Sequence, residues 1–298
     1  MKNYKIKLLL FLLMFFLVAN ISGNLFAQDS TEAPPTKKVK PVKNTFGSVW
    51  LMSSQTVMVP VKGTFEVDIQ HCFGTVNNGA KDLFGIFAPG NIRLGFNYAP
   101  IKNLFVGAGI AKERMQVDVN AKYGILYQTP NKMPVSVTYF GNMVIDSRES
   151  KYFRNGVDRF SYFHQVLIAR KINDKISVQV APSFSWFNNV EAYVDSKGEI
   201  KEKMFNAHFA ISFYGRYKFS EKSAIIVGYD QPLTQHPTNN PHPNISFGIE
   251  TTTSSHAFQF FAGNYSSIVP QSNNMFNQND YTKGQFVIGF NITHLWVF

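Results

Sequence analysis

The chain has 298 residues and a formal charge of +10, with 45% hydrophobic residues, 16% charged residues, 29 phenylalanines and a single cysteine. One cysteine excludes an internal disulfide framework. Beyond residue 27 no apolar run reaches the ~20 residues that a spanning helix requires, which excludes a helical membrane protein. The charge excess is too modest to argue for nucleic acid, and no nucleic-acid partner is expected.

The chain opens on Met1-Lys2-Asn3-Tyr4-Lys5-Ile6-Lys7, continues with an apolar run over 8–19, and carries a small residue at Ala27. A short basic region, about a dozen apolar residues and a small residue at the cut describe a secretory signal peptide over 1–27. A lipoprotein signal would need a cysteine at the cut, and Cys72 lies far away. Three lysines fall within 1–27, so the excess drops from +10 to about +7 without them. Residues 28–62 form the next expected segment. Lys37, Lys38, Lys40 and Lys43 sit there in a Pro- and Thr-containing stretch with the character of a flexible tail. Its second part, 44–62, reads as a periplasmic arm, as a plug tucked into a lumen, or as one more hairpin.

From residue 63 onward the apolar period is two. Phe65, Val67 and Ile69 alternate with Glu66, Asp68 and Gln70. Ile176, Val178, Val180, Phe184 and Trp186 alternate with Ser177, Gln179, Ala181, Ser183 and Ser185. The longest run sets Phe205, Ala207, Phe209, Ile211, Phe213, Gly215, Tyr217 and Phe219 against Asn206, His208, Ala210, Ser212, Tyr214, Arg216 and Lys218. Period two separates the faces of an extended strand, whereas a helix would scatter both sets around its circumference.

About twelve such strands are predicted, over 64–73, 92–98, 104–110, 122–127, 135–145, 160–170, 176–186, 205–219, 224–230, 244–250, 256–265 and 285–298. Connections after the even-numbered strands are short and those after the odd-numbered strands are long. That is the rhythm of an all-β, transmembrane up-and-down antiparallel barrel, with periplasmic turns and outward loops. With an even strand number both ends of the chain are expected in the periplasm and the protein in the cell outer membrane. Aromatic girdles are expected from Tyr98, Tyr127, Tyr217, Phe219, Trp296 and Phe298 at one interface, and from Phe160, Tyr162, Trp186, Phe205, Tyr265 and Phe286 at the other. The last strand alternates Phe290, Ile292, Trp296 and Phe298 with its other residues and stops on an aromatic ring. These four residues are expected to be read by the barrel-assembly machinery, a partner alongside outer-membrane lipid and lipopolysaccharide.

Several stretches resemble a family of membrane-bound β-barrels of unknown function found in Bacteroidetes. They include 71–79 (HCFGTVNNG), Leu83-Phe84-Gly85 leading to 91–98 (NIRLGFNY), 133–137 (MPVSV), 164–171 (HQVLIARK), 215–218 (GRYK), 256–259 (HAFQ) and 289–292 (GFNI). The resemblance runs from about Thr45 onward and implies a barrel in a membrane. It implies no chemistry, and Cys72 stands where the family pattern has an arginine.

The polar faces name the lumen candidates: Glu66, Asp68, Gln70, Arg93, Asn97, Gln165, Gln179, His208, Arg216, Glu250 and Asn291. Such residues either pair and fill the interior or line an aqueous path that selects solute by charge. Glu66 and Asp68, two apart on one face, could hold a cation or act as acid and base. Neutralisation by Arg93 or Arg216 is the plainer reading. An esterase pair is not expected, because His208 and Ser212 stand about 13 Å apart along one strand and Ser161 and His164 point to opposite faces. His236 and His242 lack a carboxylate or thiolate at ligand spacing, so no metal is expected, and no cofactor either. Gly107-Ala108-Gly109 lacks the third glycine and following helix of a dinucleotide loop, and reads as strand glycines where backbones approach closely. The expected function is a non-enzymatic, porin-like channel or transporter for small polar solutes. The alternative is a non-conducting structural or docking barrel.

Overall fold

The computed structural model describes residues 39–298; the expected signal peptide and the first part of the tail lie outside the described residues. Twelve strands build the wall. They are β1 (Thr64–Thr75), β2 (Asn91–Ile101), β3 (Leu104–Ala111), β4 (Gln116–Leu126), β5 (Ser136–Asp146) and β6 (Phe160–Lys171). The second half comprises β7 (Ile176–Phe187), β8 (Ala207–Lys218), β9 (Ser223–Pro232), β10 (Asn244–Thr252), β11 (His256–Gly263) and β12 (Val287–Val297). Each pairs antiparallel with its neighbours in sequence, and β12 returns to β1, which closes the sheet. Closure leaves no unpaired edge, and a sheet surrounded by hydrocarbon tolerates none.

The seam is continuous from Val297↔Thr64 through Trp296↔Phe65, Ile292↔Ile69 and Phe290↔His71 to Gly289↔Cys72. Outward positions such as Phe96, Phe209, Phe247, Ile249 and Phe260 are exposed, while inward positions are buried and mostly polar, with apolar members such as Phe105, Phe140, Phe163, Leu167 and Ile226. This inversion of an ordinary soluble sheet is what a lipid-facing wall requires. Tyr265 departs from the expected girdle. It is buried beside Phe261, inside the wall rather than at the membrane interface.

The alternation of short turns and long loops holds with one exception. The connection 112–115 is brief, because β4 starts at Gln116 and not near residue 122. Gln116, Asp118 and Lys122 point inward and Val117, Val119 and Ala121 outward, so the period is present. Its apolar members are small, and their weak signal makes the stretch read as loop.

Two segments enter the space inside the wall. Residues 45–57 come from the short-turn end, with a small hairpin that pairs Trp50 with Gln55 and Leu51 with Ser54. Phe46, Trp50, Leu51 and Met52 are all at most 2% exposed. This buried hairpin, called the plug below, pairs with no strand of the wall. The second insertion is α1 (Pro270–Phe276), from the long loop between β11 and β12.

This placement is testable through the three tryptophans. Trp186 and Trp296 are about two-fifths exposed on the outer wall, and Trp50 is 2% exposed within the lumen. In single-tryptophan variants reconstituted with brominated lipids, quenching is expected for Trp186 and Trp296. Trp50 should fluoresce unquenched; strong quenching there would remove the hairpin from the lumen.

Candidate functional site

The lumen wall is polar because each inward position answers an outward apolar one. Glu66, Asp68, Gln70, Arg93, Asn97, Gln165, Gln179, His208, Glu250 and Asn291 are all buried, and Arg216 is nearly so. Instead of facing a water column, they bond to one another and to the two insertions.

The densest group lies across β1–β4. Arg93 makes a bidentate pair with Asp118, Nε to Oδ2 and Nη2 to Oδ1, both 2.8 Å. Its Nη1 donates to Asp68 Oδ1 at 2.8 Å. Asn97 Nδ2 donates to Asp68 Oδ2 at 2.9 Å and to Glu66 Oε1 at 3.2 Å. Asp68 is therefore paired with Arg93, which it shares with Asp118, whereas Glu66 bonds neither arginine, its Oε2 has no partner among the described residues, and Arg216 turns to Glu250 with Nε–Oε1 at 2.6 Å. Gly107 and Gly109 make this cluster possible. A Cβ at Gly109 would lie 2.4 Å from Arg93 Nη2, and one at Gly107 only 1.8 Å from Asn97 Oδ1. Side chains take most of the space these two glycines leave, and at Gly107 the backbone approaches as well, since a Cβ there would lie 2.9 Å from the Phe96 carbonyl.

The plug is gripped through its main chain. Gln259 accepts from Met52 N at 2.9 Å and donates to Trp50 O at 2.8 Å, while Asn291 donates to Met52 O at 2.8 Å. On the opposite wall Gln179 accepts from Val57 N at 3.0 Å and donates to Gln55 O at 2.8 Å. Thr138 donates to Val57 O at 3.0 Å, and Lys122 reaches Gln55 Oε1 at 2.6 Å. Arg93 lies over the Trp50 ring at 5.5 Å, which joins the ion cluster to the plug.

Asp118, Lys122, Thr138 and Gln259 are absent from the sequence-derived set. Asp118 falls in the stretch that reads as loop, Lys122 stands on the first residue of the predicted strand 122–127, and Gln259 stands in the plain alternation of 256–265, where a period-two count would have found it.

His208 and Ser212 stay four residues apart along β8, and no cluster of three or more His, Cys, Asp or Glu side chains suited to a metal occurs among the described residues. Instead His208 Nδ1 meets His236 Nε2 at 3.0 Å. Burial holds the His236 imidazole below its ordinary pKa. Cys72 is buried as a small apolar residue.

Sequence and structure were compared with known proteins. The family model described as "Membrane bound beta barrel domain (DUF5777)" matches residues 46–296. No curated protein matches the chain. Among solved structures, an outer membrane channel from Pseudomonas putida F1 is 12% identical, with a TM-score of 0.49 over 80% of this chain and 97% of that one. The NanC porin is 9% identical, with a TM-score of 0.47 over 78% of this chain and 99% of its own. The KdgM porin is 11% identical, with a TM-score of 0.44 over 77% and 98%.

The ion cluster makes a stability prediction. Replacing Arg93 by alanine leaves Asp68 and Asp118 buried and unpaired, at an expected cost of about 3–5 kcal/mol. Gly109→Ala forces Arg93 out of position and should cost about 1–3 kcal/mol. Urea unfolding in lipid vesicles, followed by the loss of heat-modifiable gel migration, measures both; an R93A variant as stable as the parent would contradict the assignment.

Proposed function

The chain belongs to this family of membrane-bound β-barrels, and from that premise we propose that it is an outer-membrane channel for small polar solutes, held closed in the conformation described here. One observation carries the reading. The lumen is filled by two segments that are not part of the wall, and the wall holds them through polar side chains. A barrel closed for good can fill its interior with its own inward residues. Here twelve strands enclose more room than their side chains occupy, and the remainder is taken by a terminal segment and a loop. Both are removable without breaking a single strand pair.

If the plug leaves, Glu66, Asp68, Arg93, Asp118, Lys122, Arg216 and Glu250 line the path, and charged rings of this sort select among small solutes. In this reading the short-turn end, with both ends of the barrel domain, faces the periplasm and the long loops face outward. Lipopolysaccharide then surrounds the outer rim. Phe290, Ile292 and Trp296 belong to the strand that closes the seam, and with Phe298 they form the segment proposed as the assembly signal.

The complete filling favours a second reading, a barrel that never conducts and serves as a scaffold or docking element. The void between the two insertions, lined by Ser53, Gln165, Tyr214, Asp230, Asn273 and Asn274 among others, measures only about 10 Å³. That is at most one water.

Planar-bilayer recording separates the two. Deleting residues 39–58, or replacing Gln259 and Asn291 together by alanine, is expected to raise open-channel conductance at least tenfold over the parent chain. A variant that migrates as a folded barrel on gels yet keeps the bilayer sealed at every voltage would establish the non-conducting scaffold.

A further inference from the structure

The second insertion is an unusual helix. Pro270 starts it at a position where its fixed φ and missing N–H are harmless. Gln271, Ser272, Asn273 and Asn274 follow, of which serine and asparagine are mediocre helix formers. All four are nevertheless buried inside the barrel. Three of their bonds to the wall run between side chains: Gln116 Nε2 to Ser272 Oγ at 3.2 Å, Asn274 Nδ2 to Ser183 Oγ at 3.3 Å, and Gln271 Nε2 to Ser161 Oγ at 3.4 Å. A wall amide, Asn244 Nδ2, reaches the Asn273 carbonyl at 3.4 Å. These bonds lie at or past the long end of the N–H···O range, whereas seven of the bonds that hold the plug lie at 2.6–3.0 Å.

The same region carries buried polar atoms that have no partner among the described residues. They are Gln271 Oε1 and Asn273 Oδ1 on or beside the helix face, and Gln116 Oε1, Asn142 Oδ1, Ser185 Oγ and His208 Nε2 on the wall. The state of His208 follows from its neighbour. His236 Nδ1 accepts from Phe205 N at 3.1 Å, so a neutral His236 carries its proton on Nε2 and donates it to His208 Nδ1. His208 must then bear its own proton on Nε2, an N–H with nothing to donate to. Ser185, directly opposite His208 in the β7–β8 register, supplies an unpartnered hydroxyl beside it. Native structures leave few such groups, and each calls for a partner.

What could satisfy this set must both donate and accept hydrogen bonds, because amides, hydroxyls and an imidazole N–H are mixed along the surface. It need carry no charge. The buried inward side chains of β5–β7 at this level, Asn142, Ser161, Gln165, Ser183 and Ser185, are all neutral. The nearby carboxylate of Asp230 already accepts from Tyr214 Oη at 3.2 Å and Asn244 Nδ2 at 3.3 Å. Phe163 and Phe187 offer ring surfaces next to them, and Phe187 holds Phe276 edge-on at 4.8 Å. Amides and hydroxyls interleaved with aromatic rings suit a sugar, whose hydroxyls donate and accept and whose C–H faces lie on rings.

We propose that Pro270–Phe276 stands in for a neutral polyhydroxylated solute of oligosaccharide type, and that the wall it covers, with Gln116, Asn142, Ser161, Ser183, Ser185 and His208, binds that solute when the loop lifts. The proposal deepens the channel reading and rests on it. The helix and the solute compete for one surface, so weakening the helix must strengthen binding, because apparent affinity rises with the fraction of molecules in which the site is uncovered.

Isothermal titration of the whole mature chain in detergent micelles, with maltotriose as neutral probe and trigalacturonate as anionic probe, tests this without any need for conduction. Gln271→Ala with Asn274→Ala, on the helix, should tighten maltotriose binding about three- to tenfold over the parent. Gln116→Ala and Ser183→Ala, on the wall, should weaken binding in that double variant by about the same factor, the size expected for one hydrogen bond. Every variant is first checked for heat-modifiable migration. Equal maltotriose affinity across the folded variants, no binding to the helix variant at millimolar sugar, or preference for trigalacturonate would each overturn the proposal. A bilayer that stays sealed with the chain lacking residues 39–58, with these affinities intact, would instead overturn the channel reading and leave the site standing.

Discussion

A β-sheet in hydrocarbon must satisfy every backbone hydrogen bond within itself, and this constraint governs the rest of the molecule. It forces β12 back onto β1, and closure then divides each strand into a lipid side and an enclosed side. Once the outer positions are apolar, polar residues have only the interior left, and an enclosed polar surface must itself be paired. The Arg93 cluster, the amide grip on the plug and the hydroxyl contacts of α1 are three solutions to one requirement. They differ in what completes the pairing: other wall residues, a main chain, or side chains of a loop.

The first of these is the tightest. Arg93 spends its donors on Asp118, Asp68 and, at 3.4 Å, Gln70, and sits in space that Gly107 and Gly109 leave free. Its guanidinium also faces Trp50, so the wall's ion cluster provides a platform for the plug. Buried charge of this kind adds little net stability compared with an apolar core, but it punishes any misplacement of its members. Fixing the register of β1–β4 and presenting a fixed surface to the hairpin are therefore its plausible physical roles, and both are served by one residue.

Strand number, closure and the inward set were legible because lipid on one side and polar groups on the other enforce a period of two. Where that contrast is weak the period fades, as with Val117, Val119 and Ala121, and Asp118 then drops from view. The insertions were illegible for a different reason. Residues 45–57 are surrounded by wall on all sides, so Phe46, Trp50, Leu51 and Gln55 are all buried and no exposed face marks a period. The residues of α1 are polar because the surface they meet is polar, and a buried segment made of Gln, Ser and Asn reads as an ordinary outer loop. Tyr265 shows the same limit from the apolar side: an aromatic ring near a strand end suits a girdle until the structure places it against Phe261 inside the wall.

The two insertions are not equivalent closures. The plug is bound at both ends of its hairpin by side chains that clamp its main chain from opposite walls, Gln259 and Asn291 on one and Gln179 and Thr138 on the other. Pulling it out breaks these bonds together and strips Trp50 and Leu51 from their apolar neighbours. The helix is held by four long hydrogen bonds, by Met275 and Phe276 packed on Phe187, and at its end by Asn277, whose amide donates to Asn244 Oδ1 at 2.7 Å. Displacing α1 uncovers the lumen from the long-loop side alone. A solute entering there would meet the neutral wall of β5–β7 first and the charged wall of β1–β4, still covered by the hairpin, second. Under the proposed channel reading, a solute passes only when both insertions have moved, because each fills a different part of the lumen.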